Sequence, residues 1–115
     1  MLGFDYSLNP FSFSFTDPTD LSNVFLTTEN QTLFFLDKYI QMDFKLPSQR
    51  LYGLGERVHE FGLTQGTWTM WAIGQNSPYD DGKGRKGVYG VHPFVLIQGK
   101  NKNDFFGMFF RNSNF

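Results

Sequence analysis

Residues Gly53-Leu54-Gly55-Glu56-Arg57-Val58-His59-Glu60 set two carboxylates, a guanidinium and an imidazole behind a pair of glycines. Two carboxylates and a histidine can move protons when a pocket holds them. The same residues also suit a salt-bridged turn or strand end. No nucleophile or oxyanion donor accompanies them, which favours that structural role, so no catalytic residue is assigned. Gly53 and Gly55 share spacing with a dinucleotide fingerprint. The third glycine, the following helix and the strand-helix-strand unit are all missing. The glycines are better explained by positive φ or close backbone approach at a bend. His59 and His92 are the only histidines, and neither belongs to a metal-ligand spacing. The chain has no cysteine, which excludes disulfides and thiolate zinc sites. Neither a metal nor a cofactor is expected.

Tyr79-Asp80-Asp81-Gly82-Lys83-Gly84-Arg85-Lys86-Gly87 is the second concentration of charge. It lacks the Gly-Lys-Ser/Thr ending of a phosphate loop and the regular oxygen spacing of a calcium loop. Two readings stay open: a solvated loop, or a loop that reaches a ligand elsewhere. Trp68 and Trp71 stand just before it. Aromatic faces beside carboxylates suit sugar rings, while a core role for one of the tryptophans is equally consistent. Asn30-Gln31-Thr32 is a glycosylation acceptor triplet.

The elements that must carry these residues read as strands. Phe11-Ser12-Phe13-Ser14-Phe15 alternates perfectly, and Ile40-Gln41-Met42-Asp43-Phe44-Lys45-Leu46 does so over seven residues. Each predicts a strand with one buried face and one wet face. Thr32–Leu36 is a shorter apolar candidate. Phe94-Val95-Leu96-Ile97, bounded by Pro93 and Gly99, predicts a strand buried on both faces, and Phe105–Phe110 resembles it apart from Gly107. Asp17-Pro18-Thr19-Asp20 and Leu46-Pro47-Ser48 mark turns, and Lys100–Asp104 a hairpin loop. No stretch shows ten residues of helical period. About six short strands joined by polar loops predict an all-β, antiparallel β-sandwich. The exception is Gly74–Gly87, aperiodic and rich in glycine and charge, and a loop of that length is usually functional or disordered.

Composition narrows the function. A chain of 115 residues is one domain or part of one. Fifteen phenylalanines favour strands and supply large burial. A net charge of −1 argues against a dedicated nucleic-acid surface. No apolar run is long enough for a membrane span. Met1-Leu2-Gly3-Phe4-Asp5 carries no basic-then-apolar leader pattern. The apolar strand close before Phe115 would be left at an edge, so further sequence is expected to follow and cover it.

Taken in order, four segments resemble the N-terminal domain of glycoside hydrolase family 31, the α-glucosidase family. They are Leu51-Tyr52-Gly53-Leu54-Gly55-Glu56-Arg57-Val58-His59, Thr69-Met70-Trp71, Tyr89-Gly90-Val91-His92-Pro93-Phe94, and Gly107-Met108-Phe109-Phe110-Arg111-Asn112-Ser113-Asn114. The likeness begins near Asn9-Pro10-Phe11, runs through Lys45-Leu46-Pro47-Ser48, and covers nearly the whole chain. It implies a galactose-mutarotase-like β-sandwich, here incomplete, so that 1–115 is a partial N-terminal domain. In the family that sandwich packs on a catalytic (β/α)8 barrel, which this sequence does not contain. Family members are retaining glycosidases with two aspartates about 5–5.5 Å apart. Both sit on the barrel, so the resemblance implies that this chain alone hydrolyses nothing.

The resemblance also implies a supporting role with a loop lent to the substrate site. In several family members a Trp-Asn-Arg-Asp stretch puts an aspartate beside the sugar. Here the aligned residues are Trp71-Ala72-Ile73-Gly74, so that aspartate is missing. Trp71, Asp80 and Asp81 become the candidate substrate-binding residues, the two aspartates standing in after a loop shift. The implied partners are an α-glucoside or oligosaccharide, met through the parent enzyme, and the parent's own barrel. The family points to the secretory pathway: lysosome, endoplasmic reticulum or secretion. The alternative is a free-standing carbohydrate-binding module or a truncated gene product.

Overall fold

Alternation builds the first sheet, and it starts earlier than Phe11. In a computed structural model, residues 2–72 and 87–111 are described. They form eight strands and no helix: β1 (Gly3–Leu8), β2 (Phe11–Asp17), β3 (Asp20–Thr27), β4 (Leu33–Leu36), β5 (Tyr39–Met42), β6 (Leu51–Gly53), β7 (Phe94–Gln98) and β8 (Phe105–Phe109). Every strand pairing is antiparallel. The all-β antiparallel class expected from the period of two is therefore the class found. Since no helix forms among the described residues, none is long and apolar enough to cross a membrane. The described residues of Met1–Gln49 with Gly99–Asp104 make one compact unit, and those of Arg50–Gln98 with Phe105–Phe115 make another.

The first unit contains the sheet β1-β2-β3 and the hairpin β4-β5. Phe4, Tyr6 and Leu8 stand opposite Phe15, Phe13 and Phe11. Directly opposed residues share a face, so six apolar side chains line one side, and Asp5, Ser7, Ser12 and Ser14 line the other. The rings pack along the apolar side, with Phe4–Phe15 centroids 5.2 Å apart and Phe13–Phe15 5.9 Å apart. Phe44 joins edge-on against Phe13. On the polar side the Ser14 hydroxyl donates to Thr27 Oγ1 at 2.7 Å. The β2–β3 turn is held by Asp17, whose carboxylate accepts from the Thr19 N–H and hydroxyl at 2.8 and 2.6 Å. Leu26, opposite Phe15, is the buried apolar residue of this unit. The rest of the aromatic face is open: Phe4, Tyr6, Leu8 and Phe11 are each at least half exposed.

The hairpin β4-β5 turns at Asp37-Lys38 and pairs Leu36 with Tyr39. Phe34, Phe35, Leu36, Tyr39 and Ile40 are all exposed. The seven-residue strand expected over Ile40–Leu46 is shorter than that, ending at Met42. Beyond it the partner changes, Lys45 bridging to Thr27 through a reciprocal pair of backbone bonds of 2.8 and 3.2 Å.

The second unit is the sheet β6-β7-β8. β7 is central. Ile97 is fully buried and Val95 nearly so, but these two share one face; on the other, Phe94 is 42% exposed and Leu96 half-buried, so the burial on both faces expected of the apolar run is reached only at Gln98. The expected hairpin loop closes as Gly99 N–H donates to the Asp104 carbonyl at 2.7 Å. β8 is the edge of this sheet as described, and alternates exposed and half-buried residues. β6 ends at Gly53, whose φ of +115° few side chains adopt; a β-carbon there would stand 2.5 Å from the Phe94 carbonyl oxygen.

Candidate functional site

The charged cluster after Gly53 continues the β6–β7 pairing as an irregular ladder. Leu54 N–H donates to the Phe94 carbonyl at 2.8 Å, and His92 N–H to the Gly55 carbonyl at 2.7 Å. Glu56 N–H donates to the Gly90 carbonyl at 3.0 Å, and Val88 N–H to the Glu56 carbonyl at 3.0 Å. Two of the segments singled out in the sequence, Gly53–Glu60 and Tyr89–Phe94, thus run side by side. The Glu56 side chain adds a further tie: its Oε2 accepts the Gly90 N–H at 2.8 Å. A carboxylate–amide bond of this kind is charge-assisted and stronger than a neutral one. The His92 imidazole and the Glu56 carboxylate both lie over Gly90, 3.1 and 3.3 Å from where a β-carbon would stand.

Arg57 faces the Trp68–Trp71 segment. Its Nε donates to the Leu54 carbonyl. Its Nη2 donates to the Thr69 carbonyl at 2.9 Å and reaches Met70 Sδ at 3.3 Å. The guanidinium stands 5.5 Å from the centre of the Trp68 ring, within cation–π range. Half-burial desolvates it and pulls its pKa below the ordinary arginine range. The planar fork of an arginine is suited to this, since one side chain can tie two carbonyls 15 positions apart and cover a ring. Trp68 is half-buried, its indole N–H donating to the Thr64 carbonyl at 3.1 Å. His59 leans on Trp68 with ring centroids 5.0 Å apart, and its Nδ1 contacts the Glu60 carbonyl.

The two tryptophans therefore divide. Trp68 is packed into the brace, and Trp71 is 61% exposed. The Trp71 main chain passes close to Gly87: a β-carbon on Gly87 would stand 2.7 Å from the Trp71 carbonyl oxygen. Of the expected substrate-binding residues, Trp71 presents an exposed ring, while Asp80 and Asp81 lie outside the described residues. His59 and His92 occupy separate settings. Among the described residues no group of three or more His, Cys, Asp and Glu side chains could hold a metal ion.

Chemically, the arrangement is a brace. Glu56 and Arg57 spend hydrogen bonds on backbone amides and carbonyls rather than on each other's chemistry with a reactant. The sequence pointed to the segments but missed which of them pair, because Glu56 and Gly90 are 34 positions apart and no local period encodes that contact.

Fold and brace together define an all-β, antiparallel region. Residues 4–114 match the family model of the glycosyl hydrolase 31 N-terminal galactose mutarotase-like domain, and the chain belongs to that family. It is 36% identical over 96 residues to the probable maltase-glucoamylase 2 of Homo sapiens, covering 84% of this chain and 4% of that protein. It is 35% identical over 94 residues to an alpha-glucosidase of Mucor javanicus, covering 81% of this chain and 10% of the relative. It is also 35% identical over 94 residues to the lysosomal alpha-glucosidase of Mus musculus, covering 79% and 9%. The chain thus spans a tenth or less of each of these relatives.

Proposed function

We propose that residues 1–115 are part of the N-terminal β-sandwich of an α-glucosidase-type glycoside hydrolase, supporting a catalytic barrel encoded elsewhere in the parent protein and lending it the loop after Trp71. The observation that carries this reading is the family match over residues 4–114, with two relatives named as α-glucosidases. Two features of the chain support the finer role. Large apolar side chains on β1, β2, β4 and β5 are exposed, as befits a face made to be covered. The Glu56–Arg57 brace holds the Thr69 carbonyl, two residues before exposed Trp71. In this reading Trp71 stacks on a sugar ring, and Asp80 and Asp81 hydrogen-bond its hydroxyls. The substrate class is an α-linked glucoside or oligosaccharide. The parent works in the secretory pathway, a compartment suggested by the name of the lysosomal relative.

The test uses the full-length enzyme. Asp80→Ala, Asp81→Ala and Trp71→Ala should each lower kcat/KM on maltose, and Trp71→Ala by roughly 5- to 10-fold if one aromatic stacking contact is lost. Unchanged kcat/KM in all three removes the loop from the substrate site. Release of glucose from maltose by the 115-residue chain alone would overturn the non-catalytic assignment.

A further inference from the structure

Asn30-Gln31-Thr32 is the only Asn-x-Ser/Thr triplet in the chain, and no proline lies within or directly after it. The fold displays it on a turn anchored at both ends. Upstream, buried Thr28 exchanges bonds with Phe13: Thr28 N–H donates to the Phe13 carbonyl at 3.0 Å, and Phe13 N–H donates to Thr28 Oγ1 at 2.9 Å. Downstream, the Thr32 carbonyl accepts the Asp43 N–H at 2.9 Å. Between these anchors Gln31 N–H closes the turn onto the Thr28 carbonyl at 3.0 Å, and Asn30 takes φ +56°, a conformation asparagine tolerates better than most residues. The Gln31 amide folds back onto the Glu29 and Asn30 carbonyls at 3.3 and 3.2 Å, which keeps it clear of the Asn30 side chain. Residues 29–32 are all exposed. Among the described residues, neither the Asn30 carboxamide nor the Thr32 hydroxyl makes a hydrogen bond to the protein.

We propose that Asn30 is an N-glycosylation site. The donor is an oligosaccharide linked through its anomeric carbon to a lipid pyrophosphate. Asn30 Nδ2 bonds to the anomeric carbon, the bond from that carbon to the pyrophosphate oxygen breaks, and the lipid pyrophosphate leaves with the electron pair. The amide gives up one proton to a base of the transferring enzyme. The Thr32 hydroxyl, two positions on and unengaged, is the group that enzyme requires beside the acceptor amide. A bulky glycan fits here because the turn buries nothing that it would displace. It also fixes an orientation: the turn before β4 faces solvent in the mature protein, while the Asp37-Lys38 end of the β4–β5 hairpin stays free to be covered.

The inference rests on the secretory-pathway reading, and the experiment separates the two. The full-length protein is produced in its own cells as wild type, Asn30→Gln, Thr32→Ala, Thr32→Ser, and a control, Asn103→Thr. The control creates a second acceptor triplet headed by Asn101 in the exposed β7–β8 loop. Peptides cut before aspartate, including Asp20–Leu36, are treated with peptide N-glycosidase in heavy-oxygen water and weighed. Wild type should carry the heavy-oxygen aspartate tag at position 30 in most molecules. Asn30→Gln and Thr32→Ala should carry none there, and Thr32→Ser should retain it at reduced occupancy. Unmodified Asn30 in wild type, with a tag on Asn101 in the control, overturns the site and leaves the secretory reading standing. No tag at either position overturns both. A tag at Asn30 that survives Thr32→Ala is chemical deamidation and overturns the site.

Discussion

Removing the Arg57 side chain is the most direct test of the brace. In Arg57→Ala the Leu54 and Thr69 carbonyls lose their charged donor, and Trp68 loses the cation above its ring. A hydrogen bond from a charged group contributes about 1.5–3 kcal/mol when buried, but Thr69 is exposed and water can replace the donor there, so the two bonds together are taken at about 2 kcal/mol. The cation–π contact adds about 0.5 kcal/mol at a site this open. The expected loss is about 2–3 kcal/mol, a 30- to 150-fold shift toward opening of the segment around Trp68. Trp68 and Trp71 are the only tryptophans in the chain, so Trp71→Phe leaves a single reporter. In that background, acrylamide quenching of Trp68 should rise sharply in Arg57→Ala, and the urea midpoint should fall. Arg57→Lys keeps the charge but not the fork, so it should lie closer to alanine than to wild type. Quenching unchanged in Arg57→Ala, with stability within about 0.5 kcal/mol of wild type, would refute the brace, since a surface arginine costs no more than that.

Other substitutions probe the elements beneath it. Gly53→Ala combines a positive φ with a 2.5 Å clash against the Phe94 carbonyl and should cost about 3 kcal/mol or more in urea unfolding, chiefly by parting β6 from β7. Ile97→Val, at the fully buried centre of β7, should cost about 1 kcal/mol by the same measurement. Asp17 should titrate below its ordinary value of 3.8 by NMR, because the Thr19 hydroxyl and N–H bond its ionised form. A carboxylate whose folded pKa is lowered stabilises the fold fully above its unfolded value and loses that contribution as pH falls through the folded one. Asp17→Asn should accordingly flatten the acid limb of stability below about pH 4.

Strand signals were legible where the period held and the strand kept one partner. Phe11–Phe15 and Phe94–Ile97 stand where alternation and apolar continuity put them. Phe4-Asp5-Tyr6-Ser7-Leu8 alternates just as well and is β1, the one strand overlooked despite a clear signal. β3 is hidden for a physical reason. Its register shifts at Phe15 and Thr16, so the extra residue at Phe25 throws the alternation out of phase. β6 has three residues, too few for any period, and Gly53 ends it. Ile40–Leu46 alternates throughout, yet period says nothing about pairing, and the partner changes from β4 to Thr27 midway.

The same limit explains the charged cluster. Glu56, Arg57 and His59 read in sequence as a candidate acid–base set because they are adjacent, whereas the fold separates their tasks. Glu56 turns to the Gly90 amide, Arg57 to the Thr69 carbonyl, and His59 to the Trp68 ring. A general acid or base must keep its proton-exchanging atom free to meet a reactant. Glu56 Oε2 already holds a backbone N–H, so that atom is committed to the main chain. A replacement that keeps the acceptor but removes the charge separates bracing from proton transfer. Glu56→Gln preserves an oxygen for Gly90 and should retain most of the stability, losing about 1 kcal/mol by urea unfolding as a charged bond becomes neutral. Glu56→Ala leaves the amide unpaired and should lose about 2 kcal/mol. If the carboxylate were instead a proton carrier in the full-length enzyme, both variants would abolish kcat alike, whereas a brace leaves Glu56→Gln active.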